Sequence, residues 1–258
     1  MSYLEALILG IIQGLTEFLP VSSSGHLELA KALMGVEIEE DVTFTVLVHG
    51  ATVLSTLVIF RNDIWKIIVD SLKLEWNESA QYVVKIAISM VPVLFVGVFL
   101  KDELEALFNG NTMFVGSMLL ITAILLGVTY FVKKTENEIS YLSALIIGLA
   151  QAVAVLPGIS RSGATIATGL LLGNKKESVT KFSFLMVLVP IIGANLLDVM
   201  DGDITATDNA TPMLIGFIAA FFSGLLACKL MIKIVNSGKL LYFAAYCLLV
   251  GVIAIYFG

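Results

Sequence analysis

Charged residues are scarce in this chain, and that scarcity excludes an ordinary soluble domain. Asp, Glu, Lys and Arg make up 14% of the 258 residues, and hydrophobic residues make up 58%. Charged residues account for roughly 25% of a typical soluble domain. The mean hydropathy of +0.97 agrees with this imbalance. The composition therefore places the protein in a lipid bilayer.

Cysteines and N-terminal basic residues are also rare. The two cysteines, Cys228 and Cys247, both fall in predicted membrane spans, so we interpret them as buried apolar thiols and expect no disulfide. The segment from Met1 to Glu5 contains no Lys or Arg, whereas a secretory signal peptide begins with a positively charged segment. We therefore expect no cleavable signal peptide.

Long apolar runs are what the chain has in abundance. A membrane-spanning helix needs about 20 predominantly apolar residues, and such runs lie near 43–60, 80–100, 113–132, 182–199, 212–234 and 239–257. They predict six spanning helices. Two further pairs of shorter runs, 3–19 with 27–35 and 139–156 with 164–173, are interrupted by proline, glycine and polar residues. Such pairs are typical of re-entrant hairpins, which are tolerated only inside protein or beside a water-filled cavity.

The two interrupted segments repeat each other. The run ALILGIIQ at 6–13 reappears as ALIIGLAQ at 144–151, and nine residues beyond each glutamine the chain reads SSSG at 22–25 and SRSG at 160–163. Three predicted spans separate the hairpins, so the second copy enters the membrane from the opposite side. We expect an all-α integral membrane protein with one domain, 1–258, in which 1–135 and 136–258 form an inverted repeat. Chance similarity is the alternative, and the matched Gln, Ser and Gly positions argue against it.

Charges between the spans predict the orientation. One set of loops is basic and contains Arg61, Lys66, Lys73, Lys133, Lys134, Lys175, Lys176, Lys181, Lys229, Lys233 and Lys239. The opposite loops are acidic and contain Glu37, Glu39, Glu40, Asp41, Asp102, Glu103, Glu105, Asp201, Asp203 and Asp208. The positive-inside rule puts the basic loops in the cytoplasm and both termini on the outer face.

The polar residues of the hairpins are the candidate functional site. Glu17 lies one helical turn beyond Gln13, and a carboxylate at membrane depth is costly enough to be a functional candidate. A structural ion pair with Arg161 is the alternative. Serine-rich helix starts bind phosphate oxygens, although a plain N-cap explains one serine. Arg161 adds a planar guanidinium that suits phosphate, so the two hairpins together indicate a polyanion pocket.

Two histidines complete the set of candidates. His26 begins the helix that follows the first serine cluster. His49 lies in an apolar stretch of a predicted span, where a lone histidine is more often a packing or hydrogen-bonded residue than a catalyst. We therefore leave His49 out of the catalytic set.

The segments QGLTEFLPVSSSGH at 13–26 and PGISRSGAT at 157–165 resemble the two signature motifs of bacterial undecaprenyl-diphosphate phosphatases, also called bacitracin-resistance proteins. The resemblance covers the whole chain in length, span order and motif placement. It implies an enzyme that converts undecaprenyl diphosphate to undecaprenyl phosphate for peptidoglycan synthesis and lowers bacitracin sensitivity. It also implies a plasma-membrane site open to the outer face and a divalent cation, Mg²⁺ or Ca²⁺. The family often has an acidic residue in place of Gln13, so Glu17 is the one candidate ligand for that cation.

The resemblance also implies residue roles. The implied catalytic residues are Glu17, Ser23, His26 and Arg161, and the implied substrate-binding residues are Gln13, Ser22, Ser24, Ser160, Ser162 and Thr165. Phosphoryl transfer depends mainly on positioning and charge stabilisation, so we expect Arg161 and the serines to hold the diphosphate. Glu17 or His26 is then the general base. The attacking group is Ser23 or a bound water, and the resemblance favours Ser23.

A carrier for polyprenyl phosphate is the main alternative function, because inverted repeats with broken helices are also the architecture of secondary transporters. A carrier needs only the phosphate pocket, whereas hydrolysis also needs a base and a nucleophile beside it. A scaffold without activity would leave the charges within the membrane unexplained. The expected partners are the polyprenyl diphosphate lipid and the surrounding membrane lipids, with no nucleic acid; a homodimer is left open.

Overall fold

The protein is predominantly α-helical. The computed structural model describes residues 1–35, 42–100, 103–104, 106–107, 110–132, 136–200 and 210–257, with only the backbone described at 42 and 198–200. The helices of the first half are α1 (Tyr3–Phe18), α2 (Ser23–Met34), α3 (Val42–Ile59), α4 (Arg61–Ser71), α5 (Glu78–Phe99) and α6 (Thr112–Val128). Those of the second half are α7 (Tyr141–Val153), α8 (Arg161–Leu171), α9 (Lys176–Met186), α10 (Leu188–Met200), α11 (Ala210–Asn236) and α12 (Leu241–Phe257). The all-α prediction is confirmed.

Each serine cluster lies at a turn between two short helices, as predicted. α1 ends before Pro20, and α2 begins after Ser22. α7 ends at Val153 and α8 begins at Arg161, with Pro157 in the turn between them. Proline disfavours helical backbone in the residue before it, which accounts for the extended backbone of Leu19 at the end of α1.

Within the part of the chain that the structure describes, four helical segments are long and apolar enough to cross a membrane. They are Glu78–Phe99, Thr112–Phe131, Lys176–Leu197 and Ala210–Asn236. α3 and α4 count as a fifth if taken together, although the chain bends by 76° between them. α12 is apolar but has only 17 residues. The structure thus supports a multi-pass membrane protein with four or five of the six predicted spans.

The bend between α3 and α4 departs from the prediction. α3 ends at Ile59, within one residue of the predicted end of the span at 43–60. The basic segment after it, expected as a loop, forms a helix. Trp65 of α4 is 69% exposed, and no residue of α4 is buried. Most of the loop charges behind the predicted orientation lie outside the described residues: Glu37, Glu39, Glu40, Asp41, Asp102, Glu105, Lys133, Lys134, Asp201, Asp203 and Asp208.

The first helix of each hairpin packs against a long helix from the other half of the chain. α1 lies against α11, α7 lies against α5, and α6 packs against α12. In both hairpin contacts, the glycine that the two copies share lies directly against the backbone of the partner helix. An added Cβ on Gly10 would collide with the backbone of Gly216, and one on Gly148 would collide with the backbone of Ser89. Small residues allow this approach and increase van der Waals contact, which drives helix association in a membrane.

We expect Gly148→Ala to destabilise the protein, because the added methyl group would overlap the Ser89 backbone. Overpacking of this kind costs about 1–3 kcal/mol, which should lower the thermal unfolding midpoint in detergent. Gly97→Ala is the matched control, since Gly97 lies on α5 with nothing within 4 Å of an added Cβ. The control should change stability by no more than about 0.5 kcal/mol. Equal midpoints for the two variants would contradict the close contact.

Candidate active site

The two serine clusters are built in the same way. Ser22 caps α2 by accepting a hydrogen bond from the Gly25 N–H at 3.3 Å, and Ser160 caps α8 by accepting one from the Gly163 N–H at 3.1 Å. In each cluster the capping hydroxyl also contacts the hydroxyl of the serine two residues further on, at 3.4 Å in the first and 3.3 Å in the second. Capping accounts for one serine of each cluster. The other polar residues need a further explanation.

Both turns contain a residue with left-handed backbone. Ser22 has a φ of 71° and Gly158 a φ of 98°. Glycine adopts this conformation readily, whereas for serine it costs about 1–3 kcal/mol. Such strain persists only where the surrounding structure imposes it, and it clusters at functional sites.

The two turns are in direct contact, as predicted. The Ser162 hydroxyl donates to the Leu19 carbonyl at 3.3 Å. An added Cβ on Gly25 would lie 3.0 Å from the Cα atom of Gly158. The starts of α2 and α8 therefore lie close together. Because helix N-termini carry partial positive charge and free N–H groups, this junction suits an anion.

Glu17 is at the centre of the site. Its Oε2 atom accepts hydrogen bonds from Gln13 Nε2 at 2.9 Å and from Ser23 Oγ at 2.7 Å. Its Oε1 atom lies 3.8 Å from Nη2 of Arg161. The Glu17 side chain is 7% exposed and that of Arg161 is 29% exposed, so the carboxylate is the deeper of the two. Three of the four predicted catalytic residues thus lie together.

His26, the fourth predicted catalytic residue, is directed elsewhere. Its Nδ1 atom lies 2.8 Å from the Ser22 carbonyl oxygen, and its Nε2 atom lies 2.9 Å from the Tyr246 hydroxyl. The His26 and Tyr246 rings are stacked, with centroids 5.6 Å apart and planes 14° apart. Both ring nitrogens therefore have partners other than Glu17 and Ser23. Of the two predicted bases, Glu17 has the geometry to accept the Ser23 proton.

The structure places His49 beside Glu17, although its sequence context predicts a packing or hydrogen-bonded residue. His49 Nε2 lies 3.9 Å from Glu17 Oε2, and His49 Nδ1 lies 2.8 Å from the Thr45 carbonyl oxygen. The signal that could have identified it is the cost of an ionisable side chain within an apolar span.

Two of the predicted substrate-binding residues form a layer behind the site. Ser160 and Thr165 are each 1% exposed. The Ser160 N–H donates to the Thr122 hydroxyl at 3.0 Å. The Thr165 hydroxyl donates to the Arg161 carbonyl at 2.8 Å and contacts the Ser183 hydroxyl. These bonds hold the first turn of α8, and little in the sequence points to Thr122 or Ser183, because single hydroxyls are common in apolar helices.

The remaining predicted substrate-binding residues differ in exposure. Gln13 is fully buried, and its Oε1 atom has no hydrogen-bond partner. Ser22 is 3% exposed and Ser162 is 8% exposed, while Ser24 is partly exposed. Gln13 therefore supports Glu17, and the serines lie where the two turns meet.

A pocket lies beside Glu17. Its polar lining includes Glu17, Arg161, Ser162 and Ser183. Its apolar lining includes Phe18, Val53, Phe184, Val187, Leu188 and Ile191. The pocket is small, and polar and apolar side chains both line it.

The described residues do not by themselves fit a divalent-cation site. Among them, no group of three or more His, Cys, Asp or Glu side chains is placed to hold a metal ion. Mg²⁺ and Ca²⁺ require several oxygen ligands. The Glu17 carboxylate has donors around it instead, namely the Gln13 amide, the Ser23 hydroxyl and the Arg161 guanidinium. The cation, with Glu17 as its ligand, stays a prediction from the resemblance.

The chain is similar over nearly its whole length to known proteins. Residues 6–253 match the family described as bacitracin resistance protein BacA. A protein from Bacteroides fragilis named undecaprenyl-diphosphatase is 57% identical, with 99% of this chain and 98% of that protein covered. A protein of the same name from Christiangramia forsetii is 54% identical, with 100% and 98% covered. Undecaprenyl-diphosphatase 1 from Bacillus cereus is 38% identical, with 98% and 97% covered.

Thr165→Val should destabilise the protein, because it leaves the buried Ser183 hydroxyl and the Arg161 carbonyl without the Thr165 hydroxyl. A buried polar group left without its partner costs about 1–3 kcal/mol. Thr165→Ser keeps the hydroxyl and should retain most of the stability. Thermal unfolding of both variants in one detergent provides the measurement. An unchanged unfolding midpoint in Thr165→Val would contradict the stabilising role of these hydrogen bonds.

Proposed function

The chain belongs to the BacA family of bacitracin resistance proteins, and we propose that it is a membrane phosphatase that hydrolyses undecaprenyl diphosphate. The products are undecaprenyl phosphate and inorganic phosphate. The observation that carries the proposal is the Ser23 hydroxyl, 2.7 Å from the Glu17 carboxylate, with the Arg161 guanidinium on the other carboxylate oxygen. Recycling of the lipid carrier would serve peptidoglycan synthesis and lower bacitracin sensitivity.

Ser23 is the nucleophile in this proposal. Its Oγ atom attacks the terminal phosphorus while Glu17 takes its proton, and the bond between that phosphorus and the bridging oxygen breaks. Undecaprenyl phosphate leaves, and Glu17 returns the proton to the leaving oxygen. A water then attacks the phosphoserine, with Glu17 taking the water proton and giving it to Ser23 Oγ as phosphate departs. The short hydrogen bond between Ser23 and Glu17 favours this role over that of a bound water.

Arg161 and the two helix starts bind the diphosphate. A guanidinium presents two N–H groups to one phosphate, and the N–H groups at the starts of α2 and α8 add further donors. Ser22, Ser24 and Ser162 supply hydroxyls at the same junction. In phosphoryl transfer these groups stabilise the charge that develops on the equatorial oxygens and on the leaving group.

The apolar wall of the pocket receives the first part of the polyprenyl chain. Val53 of α3 and Val187, Leu188 and Ile191 near the start of α10 line this wall. They lie beside the polar residues that would hold the diphosphate. This arrangement supports a lipid diphosphate over a soluble one.

We also propose the finer membrane arrangement expected from the sequence. α12 has 17 residues, which is at the lower limit of about 17–25 for a spanning helix, and it would be the sixth span. The cross-packing of α1 on α11 and of α7 on α5 supports an inverted repeat of 1–135 and 136–258. The hairpins α1–α2 and α7–α8 are then re-entrant. The site opens to the outer face of the bacterial plasma membrane, where both termini also lie.

Glu17→Gln separates hydrolysis from lipid binding. The amide keeps the shape of the side chain but cannot accept a proton, so we expect phosphate release to fall by about 10²–10⁴-fold. Affinity for the lipid diphosphate should change far less, since Arg161 and both turns remain. Both quantities are measured on the same purified protein, with undecaprenyl diphosphate as substrate. Glu5→Gln is the matched control, because it removes a partly exposed carboxylate from α1 at a position where glutamine also suits a capping box.

The result also decides between enzyme and carrier. Unchanged hydrolysis in Glu17→Gln would remove Glu17 from the mechanism. If the unsubstituted protein released no phosphate but moved polyprenyl phosphate across vesicle membranes, a carrier would replace the phosphatase.

Single cysteines test the orientation. Leu33, at the end of α2, is 89% exposed, and Leu74, in the basic loop after α4, is 94% exposed. In intact bacteria, an impermeant thiol reagent should label Leu33→Cys but not Leu74→Cys until the membrane is opened. The unsubstituted protein is the control, because Cys228 and Cys247 are both buried. The reverse labelling pattern would invert the orientation.

A further inference from the structure

Tyr246 of α12 contacts the first serine turn through His26. The Tyr246 hydroxyl lies 2.9 Å from His26 Nε2, and the two rings are stacked. Tyr246 is 43% exposed, so burial alone does not fix its side chain. The proposed reaction uses neither residue, and their contact joins the last helix of the chain to the helix that begins at Ser23.

The His26 ring connects the Tyr246 hydroxyl to the backbone of Ser22. A carbonyl oxygen only accepts hydrogen bonds, so His26 Nδ1, 2.8 Å from the Ser22 carbonyl oxygen, carries a hydrogen and donates it. Nε2 bonds to the Tyr246 hydroxyl as acceptor in a neutral ring and as donor in a charged one, so the link exists in both states. Two hydrogen bonds thus run from α12 to the residue before Ser23.

The Ser22 carbonyl determines where Ser23 lies. Ser22 has left-handed backbone, with a φ of 71°, and such a conformation persists only where the surrounding structure imposes it. Its carbonyl oxygen accepts a hydrogen bond from the His26 backbone N–H at 3.1 Å as well as from the His26 ring. Because the peptide group is planar, bonds to this carbonyl also fix the nitrogen of Ser23. The position of Ser23 Oγ, 2.7 Å from Glu17 Oε2, depends on that orientation.

α12 also holds the first serine turn at a second point. The thiol of Cys247, the residue after Tyr246, donates to the Pro20 carbonyl at 3.6 Å. Val21, which follows Pro20, is 3% exposed and belongs to the same apolar cluster as Cys247 and Ala244 of α12. One side of α12 is therefore the surface against which this turn is fixed.

We propose that Tyr246 is a positioning residue, which acts through His26 to keep Ser23 Oγ within reach of Glu17. The inference rests on the proposed function, in which Ser23 is the nucleophile. Arg161 and the start of α8 bind the diphosphate from the other hairpin, so they do not depend on this link. Loss of the Tyr246 hydroxyl should therefore lower kcat and leave KM nearly unchanged.

Tyr246→Phe tests the inference, because it keeps the stacked ring and removes only the hydroxyl. We expect kcat for phosphate release to fall by about 10–100-fold, since a displacement of a reacting group by roughly 1 Å has an effect of this size. KM for undecaprenyl diphosphate and the thermal unfolding midpoint should stay close to their original values.

Tyr242→Phe is the matched control. It is the same substitution one turn earlier on α12, at a side chain that is 73% exposed, and its kcat should be unchanged. An unchanged kcat in Tyr246→Phe, an effect on KM alone, or an equal loss in both variants would overturn the role of Tyr246 and leave the phosphatase intact. No phosphate release from the unsubstituted protein would overturn both.

A double variant tests whether the effect passes through His26. Once His26→Phe has broken the link, adding Tyr246→Phe should lower kcat by no more than about twofold, because residues that act through one another are not additive. An additional loss as large as that in the single Tyr246→Phe variant would show that the two residues act independently, which would overturn the inference.

A further measurement does not depend on turnover. The chain has two histidines, so ¹⁵N NMR of histidine-labelled protein gives two ring systems, and the signals lost in His26→Phe belong to His26. We expect the His26 Nε2 resonance to move in Tyr246→Phe and to keep its position in Tyr242→Phe. A resonance that stays in place in both variants would overturn the link between Tyr246 and His26, even if kcat fell.

Discussion

An ionised carboxylate is costly to bury unless donors surround it, and this constraint on Glu17 determines how the middle of the protein is arranged. One donor, Gln13, comes from the same helix, and a second, Ser23, comes from the helix after the turn. The third, Arg161, comes from the other hairpin. Keeping all three in place requires that the two turns touch and that neighbouring helices hold the first turn of α8. The serine caps, the close glycine contacts and the hydroxyls of Thr122 and Ser183 meet that requirement.

The local features of the site are predictable because they follow short-range rules. Serine at a helix start is a preferred N-cap residue, and Ser22 and Ser160 are both caps. The repeated segment predicts that the two turns meet, and the Ser162 contact with Leu19 confirms it. The proximity of Glu17 and Arg161 follows from complementary charge in a medium that penalises either charge alone.

The features that the sequence does not predict depend on which helix faces meet. Nothing near His49 indicates that α3 lies against α1 at the height of Glu17. Nor does the motif around His26 reveal that its ring stacks on Tyr246 of the last helix. The bend into α4 occurs at Phe60, where neither proline nor glycine interrupts the apolar run. Hydropathy reports that a residue is away from water, but it carries no information about its neighbours.

The two copies of the repeat share the arrangement of helices and turns, but their charged side chains differ. Four residues after the first glutamine stands Glu17, whereas four residues after Gln151 stands Val155. The Gln151 amide accordingly faces the sulfur atom of Met90, at 4.0 Å, instead of a carboxylate. Arg161, in turn, has a serine at the matching place in the first copy. The first copy thus contributes the carboxylate and the second copy the guanidinium. The two meet as one pair of opposite charge.

The packing of α1 against α11 affects how the protein is made. α1 and α2 leave the ribosome before α11, which lies more than 170 residues further along the chain. Until α11 enters the bilayer, the face of α1 that contains Gly10 and Gly14 lacks the surface it fits. Until α8 follows, Glu17 lacks its guanidinium. The α1–α2 hairpin therefore precedes in synthesis the helices that complete its packing and supply the cation beside Glu17.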